Sequence, residues 1–259
     1  MTDLMAGVAV AFLLIAAIFM TQASNQTQKE AREKKKAEEK LNRISSTDQR
    51  AIGEIQALRD ALAHNPRLSH LVELVYDGER DPFLLTIVLD RGILRFDPGD
   101  CVVSESTREA LTASFGEIFD RVCQSASSGL LQSITMEGHT DNRPFLPRDN
   151  VCGVSRVRGT CTEEDAIQTP ACEAEGFANN VRLSASRAQN VFFQVKETFA
   201  NRPEIAECLE TKFLVAGRGP VEPMDGKAWR LSRSESENER NRRVVIKVRA
   251  ASRSMEVLE

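Results

Sequence analysis

The sequence predicts an α+β protein in which a single apolar N-terminal helix and a polar helical linker precede a mixed sheet with helices packed on one face. Three observations predict it. Leu4–Met20 is one uncharged apolar run. Residues 22–63 contain no proline and are rich in Lys, Glu, Gln and Ala. Beyond residue 83, short stretches of alternating apolarity are interleaved with longer stretches of helical period.

The apolar run, LMAGVAVAFLLIAAIFM, is 17 residues long, the short end of what spans a bilayer as a helix. A cleaved signal peptide would carry Lys or Arg before the run and a small-residue cleavage site after it. Here the only side-chain charge before the run is Asp3, and Thr21-Gln22-Ala23-Ser24 is at best a weak cleavage site, so a retained transmembrane helix over residues 1–21 is the preferred reading. Asp3 itself has two readings. With Thr2 it can cap the first turn of the helix. As an acid facing a partly dry cavity it can also load and release an ion, since desolvation raises a carboxyl pKa.

Residues 22–63 read as a helical linker. Apolar positions Ala37, Leu41, Ile44, Ala51, Ile55, Leu58 and Leu62 recur at alternating steps of four and three, with Asp48 completing the seam. The pattern predicts a dimeric coiled coil with a seam at Leu41, Ile44, Ile55, Leu58 and Leu62. The alternative is a single helix packed on its own domain. Residues 64–82 read as a connector and 251–259 as a tail.

In the domain over residues 83–250, Phe83–Asp90 alternates Phe83, Leu85, Ile87 and Leu89 as a half-buried strand should, with Ile93–Phe96 continuing after an Arg91-Gly92 turn. Ser106 and Glu109 have the spacing of a capping box. Leu111, Phe115, Ile118, Phe119 and Val122 give the stripe of the helix that follows. Further strands are expected at Leu131–Glu137, Phe213–Ala216 and Arg243–Val248, with a second helix over Leu183–Phe199.

Net charge is −4, which lacks the basic excess of a nucleic-acid binder. Six cysteines follow the apolar run, none in a Cys-x-x-Cys pair. Disulfides in an oxidising compartment are the economical reading. Buried free thiols at Cys101, Cys123 and Cys208 are the alternative, and the sequence leaves connectivity open. No Gly-rich phosphate loop, metal-ligand cluster or nucleophile–base constellation is present, so no enzyme, metal or cofactor is expected, and His139 reads as a turn-packing residue.

Four short motifs occur in order: Gly138-His139-Thr140-Asp141 after a strand, Asn180-Val181-Arg182-Leu183-Ser184-Ala185-Ser186-Arg187-Ala188 opening a helix, Gly217-Arg218-Gly219-Pro220 after the next strand, and Asn241-Arg242-Arg243-Val244 opening the last. Together they resemble the OmpA-like peptidoglycan-binding family over about residues 83–250. The chemistry is consistent with this. A diaminopimelate stem carries an ammonium beside a carboxylate, and a site for it needs an anion and a guanidinium a short distance apart. The resemblance implies Asp141 for the ammonium and Arg187 for the carboxylate, with Thr140, Asn180 and Leu183 as pocket neighbours and Arg243 adding charge. A plain Asp141–Arg187 salt bridge is the structural alternative. One departure is large. Residues 142–179, with Cys152, Cys161 and Cys172, separate Asp141 from Asn180, where the family has only several residues. Such an insert could shield or reshape the pocket. Its length suggests that disulfides pin it. A second charged stretch, Pro223–Glu239, reads as a solvated loop.

Asp3-Leu4-Met5-Ala6 followed by Phe12-Leu13 resembles the start of the transmembrane helix of MotB-type stator subunits, in which the Asp carries the transported ion. The resemblance implies a dimer of this chain inside a ring of MotA- or ZorA-like multi-span subunits, held to peptidoglycan while ions, protons by preference, drive rotation. The inner membrane would hold the helix, with the N-terminus cytoplasmic and the domain periplasmic. The basic residues after the run, Lys29, Arg32 and Lys34–Lys36, point the other way, but the domain and its cysteines outweigh them. The short N-terminus, the lack of an amphipathic plug and the cysteine insert favour a ZorB-like, anti-phage Zorya-type complex over a flagellar motor. A passive tether between inner membrane and wall, without ion transport, is the alternative.

Overall fold

The computed structural model describes residues 2–68, 71–89, 94, 96–147, 151–152, 154, 161, 169–221 and 234–252. The side chains of residues 1–19 and of a few other helical positions, Leu111 and Phe115 among them, lie outside that description. These include the side chains of Asp3 and of nearly all of the Leu4–Met20 run; the Arg91-Gly92 turn and Glu163-Glu164-Asp165 of the insert lie outside it altogether. Among the described residues no helix is long and apolar enough to cross a membrane.

The chain divides into two units, Met1–Gln49 with Arg253–Glu259, and Arg50–Ser252. The first contains most of helix α1, Thr2–Ala63. From Arg32 to Arg43 its side chains are exposed, as its charge density requires, and Leu41 is 66% exposed.

The second unit begins with the last turns of α1. Its elements then run β1 (Val72–Val75), β2 (Leu84–Leu89), α2 (Glu105–Ser127), β3 (Leu131–His139), α3 (Pro170–Thr198), α4 (Pro203–Lys212), β4 (Phe213–Gly219), α5 (Glu235–Asn241) and β5 (Val244–Ala250). The five strands form one sheet in the order β1-β2-β5-β3-β4. β3 and β4 are parallel, joined by the crossover through α3 and α4, and the other pairs are antiparallel.

Strand alternation decides which face is covered. Leu85, Ile87, Ile134, Met136, Val244, Ile246 and Val248 share one buried cluster with Ile118, Phe119 and Val122 of α2, Ala188, Val191 and Val195 of α3, and Ile205 and Leu209 of α4. The alternate positions Thr135, Glu137, Lys247 and Arg249 face the other way. The sheet is therefore mixed with its helices on the apolar face, as expected.

Ala51, Ile55, Leu58 and Leu62 are 0–3% exposed and belong to this same core. The heptad seam is thereby corrected over its C-terminal half: Ile55, Leu58 and Leu62 pack on their own domain, while of the earlier seam positions Ala37 and Leu41 are exposed and Ile44 is half-buried. A stripe at helical spacing is indifferent to whether its partner is another chain or a sheet, which is why the sequence left both open.

Several local expectations shift. α2 starts at Glu105 and is capped by Ser104, whose side chain accepts from the Thr107 amide, so Ser106 and Glu109 do not form the box. The box occurs instead at α5, where Ser234 and Glu237 cap reciprocally. The region read as a solvated loop therefore contains a helix. Leu94 and Phe96 are buried but lie in no strand. β1 forms inside the stretch read as a connector. Helix α3 begins at Pro170, inside the insert, and places Asn180 in mid-helix.

All six cysteines pair: Cys101–Cys152, Cys123–Cys208 and Cys161–Cys172. The first anchors the insert to the domain, the second ties α2 to α4, and the third closes a short loop onto α3.

If the end of α1 is a core element, Leu62→Ala lowers the urea-unfolding free energy of the domain by about 2–4 kcal/mol. Leu41→Ala changes it by under about 0.5 kcal/mol. Equal small effects would return Leu62 to the surface.

Candidate ligand pocket at the end of the sheet

Two glycines set the site. A Cβ on Gly138 of β3 would lie 1.9 Å from the Ser184 carbonyl oxygen, and one on Gly217 of β4 would lie 2.5 Å from the Ala185 nitrogen and the Val181 oxygen. Helix α3 therefore rests directly on the backbone of the parallel pair, an approach that only glycine permits. Ser184 fastens it there, its Oγ accepting from the Gly219 amide at 2.8 Å. The ends of the strands are joined as well: the His139 amide donates to Arg243 O at 2.8 Å and the Thr140 amide to Gly219 O at 3.1 Å. The four sequence motifs thus converge on one corner of the sheet.

A cavity of about 220 Å³ opens at this corner. Thr140 and Asp141 come from the turn after β3, Asn180, Leu183 and Arg187 from α3, and Arg242 from the entry to β5. Pro98 and Gly99 contribute from one side, and Arg143, Pro144, Phe145 and Leu146 from the start of the insert.

Arg187 is fully buried. Its Nε donates to Asp100 O at 2.7 Å, its Nη2 to Asp97 O at 3.0 Å and its Nη1 to His139 O at 3.3 Å, with the Phe96 ring 4.9 Å away. Burial pushes its pKa down to about 10, partly opposed by Asp141, so the group stays charged at neutral pH. Asp141 makes no direct ion pair with Arg187. Its Oδ2 accepts from Arg242 Nη1 at 2.7 Å and from Arg143 Nη2 at 2.9 Å. The salt-bridge alternative is thereby corrected: the carboxylate and the guanidinium face the same cavity with different partners. Thr140 Oγ1 is buried against the cavity and has no hydrogen-bond partner among the described residues. Buried hydroxyls are ordinarily hydrogen-bonded, so an orphaned one beside a cavity calls for a partner such as a water, an ion or a ligand atom.

Of the residues singled out in the sequence, Thr140, Asp141, Asn180, Leu183 and Arg187 line this cavity, and Arg243 does not. The parity of β5 explains the exception. Arg242 falls in phase with Val244 and Ile246 on the helix-covered side, whereas Arg243 points with Val245 and Lys247. Counting back by twos from the apolar strand positions could have found it. Arg143 and Phe145 carried no sequence signal.

The insert builds one wall. Asn180 Nδ2 donates to Arg143 O at 2.7 Å. Pro144 seats against Gly176, where a Cβ would lie 2.6 Å from it, and Phe145 sits beside Gly99, whose φ is +75°. Asp100 lies close to the sulfurs of Cys101 and Cys152, but their disulfide removes the thiolates that a metal would need.

On the face away from the helices, Glu137 is 2% exposed and pairs with Lys247 at 2.8 Å and Arg218 at 2.9 Å, with His139 Nε2 at 3.7 Å. Burial opposes its charge, but His139, Arg218 and Lys247 together hold its pKa well below the usual carboxylate range. A depressed folded value means that the stability it contributes is present above the unfolded value of about 4.3 and is lost as pH falls. Unfolding measured from pH 7 down to pH 2 should therefore show wild-type stability falling below about pH 4.5. Glu137→Gln should be less stable at pH 7 and show a shallower acid limb. Parallel curves would remove Glu137 from the acid sensitivity.

No protein-family model matches the chain, and no curated protein matches it. Among solved structures it is similar to a MotB-like protein from Desulfovibrio vulgaris, at 17% identity over 80% of this chain and 96% of that one, with a TM-score of 0.45. It is also similar to the periplasmic domain of Helicobacter pylori MotB, at 13% identity over 72% and 93% with a TM-score of 0.41. A third is the cell wall anchor of the T6SS from Pseudomonas aeruginosa, at 19% identity over 71% and 90% with a TM-score of 0.37. These are likenesses of backbone at low identity, and the side chains around the cavity carry the functional reading.

Proposed function

We propose that the domain grips the diaminopimelate-bearing stem of peptidoglycan and so anchors the chain to the cell wall. One observation carries this reading: Asp141 and Arg187 line a single cavity without pairing with each other. An anion and a cation held apart by separate partners can be bridged by a zwitterion, whose ammonium and carboxylate are themselves a fixed distance apart. The orphaned Thr140 hydroxyl supplies a further polar contact.

The larger role is that of a stator-type subunit. The helix ahead of the domain sits in the inner membrane, the domain in the periplasm, and Leu41 and Ile44 mark the remaining dimer seam. Asp3 carries the ion, supplied at about 2.3 kcal/mol per charge and 100 mV, between MotA- or ZorA-like partners, with an anti-phage cargo preferred over a flagellar one. The three disulfides support a periplasmic domain, because they persist in oxidising compartments. Without a titrating Asp3 the same anchor is a passive tether.

Detergent-solubilised full chain should co-sediment with diaminopimelate-type sacculi and not with lysine-type sacculi, which lack the second carboxylate. Asp141→Asn should weaken that binding at least about tenfold, the loss of one buried charge-assisted contact. Equal retention by both wall types would sink the stem reading.

In the native host, Asp3→Asn should abolish the activity of the complex while leaving membrane insertion, sacculus binding and Leu41→Cys cross-linking of the dimer intact. Unchanged activity would leave the tether.

A further inference from the structure

Asp141 Oδ2 has no acceptor capacity to spare, since a carboxylate oxygen offers about two lone-pair sites and three donors converge on it, while Oδ1 accepts one. The Arg143 amide donates to Oδ1 at 3.1 Å, while Arg143 Nε at 3.3 Å, Arg143 Nη2 at 2.9 Å and Arg242 Nη1 at 2.7 Å donate to Oδ2. The two arginines differ in freedom. The Arg242 side chain is 5% exposed, whereas that of Arg143 is 42% exposed. Arg143 also has a second anion within reach: its Nη1 donates to Glu235 at the first turn of α5, at 3.0 Å. Its backbone is held by Asn180 at 2.7 Å, so its side chain can leave Asp141 without moving the wall of the pocket.

We propose that Arg143 is a built-in competitor for the cationic group of the ligand. Its guanidinium occupies Asp141 Oδ2 in the resting pocket, and a ligand ammonium engages that oxygen as Arg143 gives up its Asp141 contacts and keeps the one to Glu235. The pair Arg143–Glu235 then sets both affinity and selectivity. A ligand presenting a carboxylate alone gains nothing from displacing Arg143, while one presenting an ammonium beside a carboxylate must outcompete an ion pair whose carboxylate is buried but whose arginine is 42% exposed and keeps a second anion, Glu235, when it yields. This rests on the wall-stem reading and adds a residue, contributed by the insert, that decides which stems are held.

The test is titration calorimetry of the detergent-solubilised full chain with two synthetic probes, L-Ala-γ-D-Glu-meso-diaminopimelate and the same tripeptide acetylated on the side-chain amine. Arg143→Gln and Arg143→Ala are compared with wild type, each first checked for an unchanged unfolding midpoint. Both variants should bind the free-amine tripeptide about three- to tenfold more tightly. The acetylated probe should bind wild type and variants alike, with lower affinity than the free amine. Equal or weaker binding of the free amine by both variants would show that Arg143 assists the ligand or ignores it, and the competitor is then rejected. A gain that is as large for the acetylated probe would also reject it, since no ammonium is there to compete. If wild type and variants bind neither probe, the wall-stem reading itself falls and takes this proposal with it.

Discussion

A guanidinium taken out of water needs an acceptor for each donor it turns inward, and at Arg187 main-chain carbonyls supply them. Asp97 and Asp100 belong to the loop ahead of α2, and His139 to the end of β3. One side chain on α3 thus ties together three segments far apart in sequence, and it does so with a charge that stays on at neutral pH. The cavity exists because of this arrangement. Arg187 is held by carbonyls and so does not collapse onto Asp141, and Asp141 is held by the arginines that flank it. Removing Arg187 would leave those carbonyls buried without donors, so its role in the fold and its place in the pocket cannot be separated by that substitution alone. Asp141, whose partners are side chains, is the cleaner probe.

The close seating of α3 is what brings Arg187 into range. Any side chain at Gly138 or Gly217 would lift the helix off the parallel pair by more than the hydrogen bonds of Arg187 can tolerate. The insert is built on the same helix. It starts at the pocket, with Pro144 against Gly176 and Phe145 against Gly99. The Cys101–Cys152 bridge then returns it to the loop that carries the carbonyls facing Arg187. The start of the insert is therefore part of the site, and supplies Arg143, Pro144, Phe145 and Leu146 to the wall.

Much of this was legible in the sequence where a local rule coincided with the tertiary outcome. The alternation of Leu85, Ile87 and Leu89 gave β2 its buried face, and the motifs contain half of the pocket lining because they sit at strand ends or on the helix that covers the sheet. The misses share a cause. The stripe Ile55, Leu58 and Leu62 was periodic, and periodicity does not say which surface it meets. The box at Ser106 was satisfied as a pattern, but Ser104 lay two residues earlier and captured the helix start. Arg143 lay in an insert with no period at all, so its position depended wholly on a disulfide and on helix–loop packing that sequence does not encode locally.

The charges around the cavity form a cycle rather than a pair. Asp141 bonds Arg143 and Arg242, and both arginines bond Glu235. Two anions and two cations in a closed ring balance in charge, so the ring adds little net field, and Arg187 stands outside it as the charge that a ligand carboxylate would meet. The ring also has one exposed corner. Asp141 and Arg242 are buried, so breaking their contact would strand charges in a low-dielectric site at considerable cost. Arg143 and Glu235 are open to solvent, so their rearrangement is cheap. A ligand entering with its own cation can therefore replace one member of the ring without leaving any buried charge uncompensated at any point. The asymmetry in exposure gives the corner its direction: the buried half holds the pocket in shape, and the exposed half is where exchange takes place.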